Sequence, residues 1–108
     1  MTVLQRAYKR FNKKYFRNRL PCDCKVVLDK HLVRRENAVG MYHPIDIKPF
    51  PNGIISIATR CTTPRSRLFT LLLEMVHVKL RDAHWGHGPK FQTEMLRLAR
   101  MGAFKHLW

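Results

Sequence analysis

Acidic residues are scarce in this chain. It carries 7 Asp plus Glu against 21 Lys plus Arg, for a net charge of +14. Such an excess selects for a polyanionic partner, and nucleic acid is the commonest one inside a cell. An anionic membrane surface or an acidic protein would also satisfy it, and charge kept for solubility alone is the bland alternative. Long apolar runs are missing too: none approaches the roughly 20 residues that cross a bilayer, so no membrane role is expected. The opening residues, Met1 to Arg6, lack the apolar core of a secretory leader. The expected location is therefore intracellular: cytoplasm, nucleoid or nucleus. Cysteine is limited to Cys22, Cys24 and Cys61. The count is odd, with no two pairs at zinc-ribbon spacing; Cys22-Asp23-Cys24 could bind a metal but supplies only half a tetrahedral set, so these read as ordinary reduced thiols. There is no repeat, linker or low-complexity stretch.

What is present suits a single globular domain covering residues 1–108, with 45% hydrophobic residues and room for one core. Leu4, Ala7, Tyr8, Phe11 and Tyr15 recur at helical spacing, which predicts a helix from about Thr2 to Arg19. Arg6, Arg10, Lys13 and Arg17 repeat with the same period on another face. A basic stripe is usually a solvated face, but this helix has no acid to pair its cations, which favours phosphate contact. Pro21 ends the segment. Strands are expected at Cys24–Asp29, Ala38–His43 and Ile54–Thr59, the last entered through the turn Pro51-Asn52-Gly53. Strands so close together most simply form an antiparallel meander. Thr63-Pro64 then caps and opens a helix running to about Leu80, and another begins at Gly88-Pro89 and ends near Gly102. The fold class is α+β: an N-terminal helix, a three-stranded antiparallel sheet and a closing helix pair. The tail from Leu98 to Trp108 reads as a helix end with packing residues, Trp108 among them as a core anchor.

The informative stretch is Leu71-Leu72-Leu73-Glu74-Met75-Val76-His77, followed by His87-Gly88-Pro89-Lys90-Phe91. In the H-E-x-x-H pattern two histidines one helical turn apart hold zinc, and the glutamate between them serves the metal-bound water as general base. Glu74 and His77 occupy the second and last positions of that pattern. Leu73 occupies the first. On a helical wheel Leu68, Leu71, Leu72, Met75 and Val76 fall within an arc of about 140°, the expected core face, while Leu73 and His77 lie outside it and about 40° apart. Alternatively, Phe69, Leu73 and Leu80 form a minor apolar strip against a neighbouring element, and His77 is an ordinary helix histidine. His87, at the start of the next helix, is placed to point back toward His77. A catalytic zinc commonly takes three protein ligands and keeps one position for water. His84 or His43 could be recruited as the third, but neither lies four residues before His77.

At this point the chain resembles the SprT-like family of zinc metallopeptidase domains. The matching residues are Phe11-Asn12-Lys13-Lys14-Tyr15-Phe16-Arg17-Asn18-Arg19-Leu20, the Gly40-Met41-Tyr42 strand, Leu71 to His77, and Gly86-His87-Gly88-Pro89-Lys90-Phe91. Their order and spacing cover essentially the whole chain. The resemblance implies a minimal zincin-like domain with an active-site helix, zinc as cofactor, and protein substrates held on DNA. By position, Glu74 corresponds to the catalytic general base, and His77 and His87 to the second and third zinc ligands. Leu73 departs at the first ligand. Leucine has no lone pair to donate, so zinc affinity is expected to fall by orders of magnitude and peptidase activity with it. Family members often continue into a small zinc-binding subdomain or targeting tails. Here DNA contact would come from the basic surface, with Arg6, Arg10, Lys13 and Arg17 as the expected residues, in a monomer. Two other functions remain open: a non-enzymatic nucleic-acid-binding module, and an inhibitor or adaptor that binds an acidic protein.

Overall fold

Residues 2–32, 39–43, 52–80, 88–105 and 107 are described by the computed structural model. Among them the chain runs α1 (Val3–Tyr15), β1 (Lys25–Asp29), β2 (Gly40–His43), β3 (Ile54–Ala58), α2 (Pro64–Leu80) and α3 (Pro89–Arg100). This is the expected α+β order. The expected core anchor Trp108 lies outside the described residues.

Thr2 starts α1 by accepting the Gln5 amide on its hydroxyl at 3.1 Å, which satisfies one orphan donor of the first turn. Leu4, Ala7, Tyr8, Phe11 and Tyr15 are buried, as their spacing requires. The helix stops at Tyr15 rather than Arg19, and Asn12 is the reason. Its side chain sits on the buried face, accepts the Leu20 amide at 3.1 Å and donates to the Leu20 carbonyl at 2.9 Å. To reach that clamp the chain turns through left-handed Arg17 and Asn18, with φ of 54° and 58°, and the Asn18 amide bonds back to the Asn12 carbonyl at 2.9 Å. The Tyr8 hydroxyl holds the Pro21 carbonyl at 2.6 Å. Gln5 then ties the helix to the sheet: it donates to the Cys24 carbonyl at 3.0 Å and accepts the Val26 amide at 2.9 Å. One side-chain amide thus covers part of the exposed edge of β1.

The sheet is mixed, not the antiparallel meander expected. Its order is β1-β3-β2. β1 runs parallel to β3, with Lys25 opposite Ile54 and Asp29 opposite Ala58, while β2 runs antiparallel to β3, with Gly40 opposite Ile57 and His43 opposite Ile54. The physical reason is burial. Ile55, Ser56, Ile57 and Ala58 are all buried, so β3 is covered on both faces and takes the centre, where an unbroken apolar strand belongs. β1 and β2, with partly polar or exposed positions, take the two edges.

Thr63 caps α2 as expected, its hydroxyl accepting the Ser66 amide at 3.1 Å. From Thr70 to Val78 every residue except Leu73 is buried. The helix packs against β2, β3, α1 and α3. The core is therefore wider than the single arc read from the wheel, because α2 is enclosed on several sides. α3 follows Gly88 with Pro89 in its first turn and buries Phe91 and Leu98. Gly102 breaks it at a φ of 78°, letting the Ala103 amide return to the Leu98 carbonyl at 3.0 Å and laying Phe104 against Phe69, ring centroids 5.4 Å apart. The three thiols are free, with Cys24 and Cys61 buried. Among the described residues no helix is long and apolar enough to cross a membrane.

Candidate functional site

α2 places Glu74 under the edge strand β2. The carboxyl is 5% exposed, and its Oε2 would stand 3.1 Å from a Cβ built on Gly40. Strand and helix approach this closely because position 40 has no side chain. Burial pushes the Glu74 carboxyl up to about 7, and a hydrogen bond from the Tyr42 backbone only partly offsets it. Desolvation disfavours the charged form, and one amide donor cannot replace a full hydration shell. Its Oε1 is buried without a hydrogen-bond partner among the described residues. A carboxyl of this kind changes protonation near neutrality, which suits proton exchange.

His77 is 1% exposed. Its ring stacks on Phe91 of α3, with centroids 4.9 Å apart and planes inclined by 28°. It is thus an interior residue joining α2 to α3. Leu73 is half-buried and, with Phe69 and Leu80, packs against the outside of the core, which agrees with the minor apolar strip. The expected ligand His87 and the possible substitute His84 lie outside the described residues. His43, the other possible substitute, closes β2 opposite Ile54.

Among the described residues the donors do not complete a catalytic zinc site. Leu73 offers no lone pair, and the first-ligand position is filled by a side chain that serves packing. Among the described residues no group of three or more His, Cys, Asp or Glu is placed to hold a metal. His77 with His87 would make two protein ligands, one short of the usual catalytic three.

The basic residues separate into two places. Arg6, Arg10 and Lys13 are exposed along α1, together with Lys9 and Lys14. Arg10 lies over the Phe11 ring at 5.3 Å and Lys14 over Tyr15 at 5.4 Å, so both keep to the helix surface. Arg17 does not continue that stripe. It falls beyond the helix end, in the left-handed turn, because the Asn12 clamp has already redirected the chain. Arg19, in the same loop, is exposed as well.

Sequence reasoning missed two groups. The Asn12 clamp was signalled only by a polar residue standing between Phe11 and Tyr15 on an apolar face. The second group is Glu94 on α3, 7% exposed, which receives Lys79 of α2 at 2.7 Å and Arg97 through its Nε at 2.7 Å. Burial works against ionisation there, but the hydrogen bonds and charges of Arg97 and Lys79 outweigh it and hold the Glu94 carboxyl below its usual range. Within α3 the spacing of Glu94 and Arg97 is a legible pair; the partner on α2 is not. No protein-family model, curated protein or solved structure matches this chain.

Proposed function

We propose that the chain is a SprT-like metallopeptidase scaffold that lacks effective peptidase activity as written and works beside protein bound to DNA, brought there by its basic surface. The observation that carries this reading is Glu74. It is a buried carboxyl titrating near neutrality, set against an edge strand and one turn from a buried histidine, at the spacing of the peptidase pattern. A carboxyl is costly to bury, and a residue kept for stability alone would be better apolar. The fold order supports the reading at a coarser level: an N-terminal helix, a small sheet and two closing helices. Against working catalysis stands Leu73, which leaves the zinc ligands one short. Protein substrate or partner and DNA are the expected partners, and zinc is the group whose binding Leu73 weakens. The test is Leu73→His. Recovery of zinc binding with chelator-sensitive cleavage of an unfolded protein supports the scaffold, and an inert variant that is folded and still binds DNA favours the non-enzymatic nucleic-acid module.

A further inference from the structure

A second site stands apart from Glu74. The loop that leaves α1 faces the end of α2 and one side of α3 across a cavity of about 330 Å³, and Arg17, Arg19, Lys79 and Arg97 all line it. We infer that this cavity binds a phosphate monoester, carried either by a free mononucleotide or by the 5′ end of a nucleic-acid strand. The inference does not rest on the zinc-site reading. It uses Arg17, which the end of α1 separates from the basic stripe on that helix.

Charge comes first. Four cations line the cavity, and among the described residues the carboxylate bound to them is Glu94, which engages Lys79 and Arg97. Arg17 and Arg19 have no ion-pair partner among the described residues. The C-terminal end of α2 adds only a partial negative charge, equivalent to about half an electron, so the balance at the cavity stays strongly positive. A dianionic phosphate meets that balance, and the guanidinium fork suits its oxygens.

Preorganisation comes second. Arg17 and Arg19 ride on a fixed loop: Asn12 clamps Leu20 through both its amide and its carbonyl, and Tyr8 holds Pro21. On the opposite wall Glu94 holds the Lys79 and Arg97 side chains in place. Cations already tethered lose less freedom when a ligand arrives. Arg97 also lies over the Phe16 ring at 5.4 Å, and Phe16 and Val78 line the cavity between the cations. A bare inorganic ion would leave that apolar wall unused, whereas a phosphate attached to a compact organic body would cover it. The volume is at the low end for small-molecule sites and admits one such group.

The test titrates the full chain with AMP and with a short single-stranded oligonucleotide carrying either a 5′-phosphate or a 5′-hydroxyl. The variants are R17G/R19A and R6A/R10A. Glycine at position 17 takes the left-handed turn without strain, so the first variant keeps its fold; circular dichroism verifies this. The 5′-phosphate is expected to tighten oligonucleotide binding about tenfold, the yield of one good charge-assisted contact. R17G/R19A should abolish that preference while R6A/R10A retains it. AMP binding with equal affinity for the two oligonucleotides supports the cavity and identifies the free mononucleotide as the source. A 5′ preference without AMP binding supports it and identifies the strand end. Equal oligonucleotide affinities with no AMP binding overturn the inference, as does a preference that survives R17G/R19A.

Discussion

The Glu74 carboxylate packs against the backbone of Gly40, whose missing side chain makes the approach possible: a Cβ there would collide with the Thr70 methyl carbon and stand 3.1 Å from Glu74 Oε2. Gly40→Ala should therefore lower stability by about 1–3 kcal/mol through overpacking. Urea unfolding measures it. A variant as stable as the parent would mean that β2 and α2 are not in close contact.

Glu74 also sets a pH dependence. Burial raises its carboxyl from the ordinary 4.5 to about 7. Between those values the unfolded chain has released the proton and the folded chain still holds it, so stability falls as pH rises through this window and levels off above it. The full cost is about 3 kcal/mol. Glu74→Gln removes the titration, and its stability relative to the parent should rise by about that amount from pH 4 to pH 8. Parallel stability curves for the two proteins would contradict the burial argument.

Asn12 and Arg17 should respond oppositely. Asn12→Ala leaves the Leu20 amide and carbonyl without their side-chain partner and should cost about 2 kcal/mol or more. Arg17→Gly relieves a left-handed φ of 54° and should add about 1 kcal/mol. Denaturant midpoints decide both. An Arg17→Gly chain less stable than its parent would argue that the arginine side chain is structural.

Much of this architecture was legible because it depends on local chemistry. The Thr63 cap, the extent of α2 and the Phe11–Tyr15 stripe follow from residues a few positions apart. The end of α1 was not legible, since it depends on Asn12 capturing Leu20 across a turn. The sheet order was hidden for a similar reason: short spacing favours neighbours pairing in sequence, and only the burial of both faces of β3 shows that β1 joins it from the other side. At the site, the sequence located Glu74 and the anomaly at Leu73, but it gave no sign that His77 would be stacked on Phe91.

Salt dependence tests the basic surface. If Arg6, Arg10 and Lys13 meet phosphates, binding to duplex DNA should weaken steeply with salt. Replacing all three by Ala should flatten the logarithmic slope by about 0.9 for each phosphate no longer neutralised. A slope unchanged by the triple substitution would place the DNA-binding face elsewhere on the surface.

In the proposed scaffold, Leu73 is the residue that separates the chain from a zinc peptidase. Zinc content, measured by elemental analysis on the parent and on Leu73→His after equal exposure to zinc and extensive dialysis, tests it most directly. The parent is expected to retain far less than one equivalent, and Leu73→His to retain one equivalent that a chelator removes. A parent holding a full equivalent, or a folded Leu73→His chain holding none, would contradict it.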